Sequence, residues 1–178
     1  MKQHEAYLKQ ARSDFQVFRL LLKQDRTEVP ECHVLHYLQM ATEKLAKAAF
    51  LSINPAFHPH THVAFSHIPH HLRRADVAKT LGWKTFDSYR VFLKYASPLF
   101  RQIDELNPAV GPQLAAGKKT ARSNVEYPWE TRNAAGNLTW RAPTDHQFGI
   151  LDRLQKSGSG VQLWLFVNRL IERFESIF

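Results

Sequence analysis

Cysteine is nearly absent from this chain, with Cys32 standing alone among 178 residues. Intramolecular disulfides are thereby excluded, and a reducing cytoplasm is the expected setting. Glycine is scarce too, at seven residues, a low count for a chain of this length. No stretch approaches the roughly 18 uninterrupted apolar residues of a membrane-spanning helix, so no membrane association is expected. The opening MKQHEAYLKQ lacks the apolar core of a signal peptide and already reads as a helix. No Ser-His-Asp grouping or paired-carboxylate arrangement stands out. What is present in excess is positive charge: 24 Lys and Arg against 16 acids give a formal charge of +8 and a pI near 9.8. That surplus favours contact with polyanions, RNA or DNA first among them, although a merely soluble basic protein would show it as well.

Length and a 44% hydrophobic content describe one domain, 1–178, able to bury a core without staples. Tyr7, Leu8, Ala11, Phe15, Phe18, Leu21 and Leu22 recur at helical spacing, with charged residues between them. After the break DRTEVPE, a second amphipathic pattern runs from about Glu31 to Ser52 and stops at Ile53-Asn54-Pro55. Two long apolar stripes joined by a short turn must bury each other, which predicts an antiparallel hairpin. Glu43 and Lys44 could be a buried polar pair, but a solvated helix face supported by the i,i+4 pair Glu43 and Lys47 is the expected reading. Ser66 and Pro69 can open a short helix through HHLRRADVAKTL, and Thr85 can cap another. That next helix either kinks at Pro98 or restarts there and runs to Leu106.

From Asn107 to Thr144 the helical period is lost, and no strand pair is evident. Gly111–Ser123 contains nothing to anchor it and reads as mobile. VEYPWE is too apolar for open water, so Tyr127 and Trp129 are expected to be buried and to pin the loop beside a late helix. Thr144 and Gln147 have capping-box spacing before Phe148, Leu151 and Leu154. A last helix from Gly160 buries Val161, Trp164, Val167, Ile171 and Phe174. The fold class is all-α, a bundle of four to six helices with a long irregular loop at about 107–144.

Six of the ten histidines fall in FHPHTHVAFSHIPHH, Phe57–His71. His67 and His71 have i,i+4 spacing, but no Asp, Glu or Cys lies between Ser52 and Ala75 to complete a ligand set. A polar loop entering a helix explains the run, with Thr61 or Ser66 capping, one histidine packing and the rest solvated. No metal site or cofactor is expected. Arg73 and Arg74 beside the cluster are candidate phosphate contacts. GKKTAR, with Lys118, Lys119 and Arg122, resembles part of a phosphate-binding loop but lacks the upstream Gly and the preceding strand, so it reads as a basic loop able to touch nucleic acid. Tyr127 and Trp129 next to it are candidate base-stacking residues as well as candidate core.

YLKQARSDFQVFRLLLK followed by CHVLHYLQMATEKLAKAAFL resembles the opening hairpin of the HEPN domains. The second helix matches that family's pattern at His36, Gln39, Ala41, Glu43, Lys44, Lys47 and Ala48, and the first helix carries the mid-helix Asp. THVAFSHI and NVEYP are similar to later family segments, and under the resemblance His62 is structurally tied. The resemblance implies a helical bundle, homodimerisation, and association with RNA, a nucleotide-bearing partner or a partner protein of a toxin–antitoxin pair. Many members are metal-independent ribonucleases carrying an Arg and a following His with four to six residues between them. The Arg would stabilise charge at the scissile phosphate, and the His would move the 2′-hydroxyl proton. Arg141 and His146 are the candidate catalytic pair, although RAPTDH lacks the polar residue after Arg. Arg26 and His33 share the spacing but lie in the first turn, and Arg122 is followed by Tyr127 where catalytic members place His. The expectation is a module that binds RNA or a nucleotide-bearing partner with a degraded motif. An active ribonuclease using Arg141 and His146, or a structural interaction subunit, are the alternatives.

Overall fold

The structure is a computed structural model describing residues 1–178 except 26, 58–63, 109–120 and 157. His58, His60, His62, Lys118, Lys119 and most of Gly111–Ser123 thus lie outside the described residues, as does Arg26. Among the described residues the chain is mostly helical, and no helix is long and apolar enough to cross a membrane.

The first two helices are α1, Gln3–Leu21, and α2, Glu31–Ile53, packed antiparallel along their lengths. The turn between them is set by Asp25, whose carboxylate accepts from the Thr27 amide and hydroxyl, both at 2.9 Å. Leu8, Ala11, Phe15 and Phe18 of α1 meet Leu35, Leu38, Ala41, Leu45 and Ala48 of α2 in the core. The expected solvated face of α2 is instead buried, with Glu43 5% and Lys47 8% exposed. Lys47 Nζ donates to Glu43 at 2.6 Å, Gln39 donates to the other Glu43 oxygen at 2.9 Å, and Lys47 lies over the Tyr7 ring. Beside them Lys44 Nζ donates to the buried Asp14 carboxylate at 2.8 Å, and Gln10 donates to its second oxygen. These charges can be buried because each has a partner of opposite sign, and Asp14, Glu43 and Lys47 each have a further hydrogen bond or ring contact.

The middle segment folds as a short 3₁₀ turn, Phe65–His67, then α3, Ile68–Leu72, α4, Ala75–Thr80, and α5, Phe86–Asp104. The single helix expected over HHLRRADVAKTL is broken at Arg73 and Arg74, whose backbone leaves the helical region. Ser66 does not cap it. Asp104, buried at the far end of α5, accepts from the Phe65 and Ser66 amides at 3.2 and 2.8 Å. Thr85 does cap α5, accepting from the Ser88 amide at 3.1 Å, and α5 runs through Pro98 to Asp104. Of the described histidines, His71 packs edge-on against Phe50, while His67 and His70 are exposed.

A strand pair, not foreseen from sequence, crosses the irregular region: β1, Trp129–Arg132, and β2, Leu138–Arg141, antiparallel with Trp129 opposite Arg141. Its turn holds Gly136 at φ +81°, and Asn133 Oδ1 accepts from the Ala135 and Asn137 amides. A positive φ is available to glycine without a Cβ penalty, which lets the chain reverse in so few residues. The late helices are α6, Ile150–Lys156, α7, Gly158–Glu172, and α8, Phe174–Ile177. On α7 Val167 and Ile171 are buried as expected and the seam adds Leu163, Phe166 and Leu170, whereas Val161 and Trp164 are only half-buried.

Candidate functional site

Arg141 and His146 are both placed around Trp129. Register places Arg141 directly across the hairpin from Trp129, and the His146 ring stands edge-on to the indole at 5.1 Å. Phe148 closes the other side, its ring 4.7 Å from His146. Burial, and then the Arg141 charge, lower the His146 pKa, while Glu31 opposes them. A lowered pKa favours the neutral imidazole, the form a general base requires.

The expected capping box does not form. Thr144 sits in a 3₁₀ turn, Pro143–Asp145, and bonds Asp145, and α6 begins only at Ile150. The cap comes from α2, where the Glu31 carboxylate accepts from the Phe148 amide at 2.9 Å and the Leu151 amide at 3.3 Å. A helix N-terminus that would attract phosphate is therefore already taken by a carboxylate. The adjoining cleft, about 380 Å³, is lined by Glu31, Asp145, His146, Gln147 and Asp152. Glu31, Asp145 and Asp152 give this cleft an acidic lining, with Lys156 paired to Asp152 at 3.3 Å.

Arg122 lies in a different cleft of about 370 Å³, shared with Gln102, Glu105, Phe148, Ile150 and Arg153. The loop thus returns Arg122 to the late helix, as expected, but Tyr127 is not what pins it. Tyr127 is 43% exposed, and its hydroxyl pairs with Glu126, which raises its pKa. The anchors are Trp129 and Val125, 7% and 3% exposed, together with Asn124. Asn124 donates to Asn107 and to the Pro108 carbonyl and accepts from the Glu126 and Tyr127 amides, tying the two ends of the loop together. Tyr127 turns outward because those two amides belong to an Asx turn, which fixes its backbone at the surface.

Arg73 and Arg74 stand at the opposite pole. Arg74 bonds Asp76 at 3.1 Å and the Ile177 carbonyl at 3.1 Å, and Ser52 at the far end of α2 reaches the neighbouring Phe178 carbonyl. Glu31 begins α2, so the two poles are separated by most of that helix, about 30 Å. Arg73 and Arg74 are both exposed, and Arg74 is in addition bonded to the last turn of the chain. Among the described residues no group of three or more His, Cys, Asp or Glu is placed to hold a metal ion. Sequence reasoning missed Glu31 and Asp104, which hold together segments more than 35 residues apart and so leave no local signal. No protein-family model, curated protein or solved structure matches this chain.

Proposed function

We propose that this chain is a HEPN-like helical module that engages RNA or a nucleotide-bearing partner and has lost cleavage. The observation that carries the family reading is the polar seam between α1 and α2. Asp14, Gln39, Glu43, Lys44 and Lys47, the polar residues among those that carry the resemblance, form two neighbouring hydrogen-bonded groups and not a scattered surface pattern. The +8 charge supports a polyanionic partner. Loss of cleavage is supported by the acidic cleft at His146 and by Glu31 on the helix N-terminus, since a catalytic pair needs a phosphate between its members. The exposed Leu138 and Trp140 of β2, 48% and 60% accessible, are the apolar surface that a second copy would cover in a homodimer.

The test is incubation of a mixed RNA pool with purified protein in EDTA, alongside His146→Ala. The reading expects bound but intact RNA in both samples. Cleavage by the wild type that disappears in His146→Ala would establish an active metal-independent ribonuclease instead.

A further inference from the structure

Away from the His146 cluster, α5 and α7 enclose a cleft of about 370 Å³ lined by Trp83, Lys84, Ser88, Leu165, Phe166 and Arg169. Trp83 is rigidly seated, with its ring 5.0 Å from Phe92 and 5.6 Å from Tyr89, yet it lines the opening. Arg169 is fixed at the rim by a 3.1 Å bond to the Leu81 carbonyl. An aromatic plane that is already immobile costs little ordering entropy when a second ring stacks on it.

The surface continues beyond the cleft. Ser88, Val91 and Tyr95 follow one another at three- and four-residue spacing, so they form a single ridge of α5. Val91 is 53% exposed and Tyr95 68% exposed, although a bundle helix of this length normally turns such residues inward. Lys94 and Arg101 flank the ridge, and both are exposed. The acid on the same stretch, Asp87, is engaged by Arg90 at 3.5 Å. Farther along, Gln102 of α5 and Glu105 just after its end border the cleft that holds Arg122 and Arg153. One helix therefore joins two clefts, with cations and an exposed tyrosine between them.

We propose that the outer face of α5 is a track for single-stranded nucleic acid. One base stacks on Trp83 and another on Tyr95, while Lys84, Lys94, Arg101 and Arg169 take the backbone phosphates. An apolar protein partner would want a continuous apolar patch. Here Val91, Tyr95 and Leu165 are separated by cations and hydroxyls, which suits a chain of alternating charge and ring.

The inference rests on the RNA-binding reading, and the experiment separates the two. Binding of a fluorescent 12-nucleotide single-stranded RNA is followed by anisotropy at low salt. Lys84→Glu, Lys94→Glu and Tyr95→Ala replace exposed side chains, and an unchanged thermal melt confirms their fold. Each lysine variant should weaken binding about threefold or more and flatten the salt slope by about 0.7. Tyr95→Ala should weaken it about fivefold or more with the slope unchanged. Lys9→Glu on α1 should change affinity less than twofold. No wild-type binding would overturn the RNA reading and the track together. Wild-type binding that survives the α5 variants, or that Lys9→Glu weakens equally, would overturn the track alone. Equal affinity for polyglutamate, with Tyr95→Ala silent, would show a general polyanion surface and overturn base stacking.

Discussion

Glu31→Ala should uncouple the His146 cluster from the bundle. The half-buried carboxylate accepts two amides from a segment 117 and 120 residues away, at 2.9 and 3.3 Å. Hydrogen bonds to an ionised group contribute about 1.5–3 kcal/mol each, but solvent screening and the longer second bond reduce the pair. Loss of an N-cap alone costs about 0.5–2 kcal/mol. The expected destabilisation is therefore about 2 kcal/mol, and α6, at seven residues, is too short to hold itself without its cap. In a chain of this size that lowers the melting temperature by roughly 4–8 °C. Urea titration followed by circular dichroism gives the free energy. Hydrogen exchange at the Phe148 and Leu151 amides gives the location, since these should lose protection first. Glu31→Gln keeps one carbonyl acceptor and should recover about half of the loss. A change below about 0.5 kcal/mol with unaltered exchange at both amides would refute the cap.

Asp14→Ala or Lys44→Ala should each cost about 3 kcal/mol by leaving the other charge buried and unpaired, and the double variant should cost less than their sum; strict additivity would show that the 2.8 Å pair contributes nothing. His146 and His71 both have pKa values lowered by burial. The folded state then binds fewer protons than the unfolded one, so stability is complete above the unfolded value of about 6.5 and falls as pH drops below it. His146→Gln should remove part of that decline between pH 7 and 5; an identical decline would place His146 in open solvent. A Cβ at Gly160 would overlap the Arg153 carbonyl, which is backbone and cannot move aside. Gly160→Ala should therefore destabilise by about 1–3 kcal/mol despite the better helix propensity of alanine, and a stabilised variant would contradict the α6–α7 contact.

The helical hairpin could be read in advance because its information is local. Phe15, Leu38 and Leu45 repeat at the period of a helix, and Pro30 and Pro55 mark the limits of α2. Its polar side was misjudged because Glu43 and Lys47 have the same spacing whether solvated or buried; only Gln39 and Tyr7, supplied by the fold, separate the two cases. The hairpin at 129–141 was missed although its turn carried a signal. Asn133 to Asn137 place a glycine between two stretches of Thr and Trp, but β strands of four residues are too short to show a convincing alternation. Composition marks Tyr127 as apolar but cannot show the Asn124 turn that directs it outward. Arg141 lies across the hairpin from Trp129 and the His146 ring packs on that indole; of the acids lining the cleft only Asp145 is local, while Glu31 and Asp152 come from α2 and α6 and no motif could announce them.

The central claim, that this basic bundle holds RNA without cutting it, is tested most directly by the affinity of the wild-type protein for single-stranded RNA across a salt series in EDTA. The strand is recovered and sized after each point. Four to six phosphate contacts predict a plot of log K against log salt with a slope of about −3 to −4, and full-length RNA throughout. A flat plot, or RNA shortened at the points where it binds, would contradict the account.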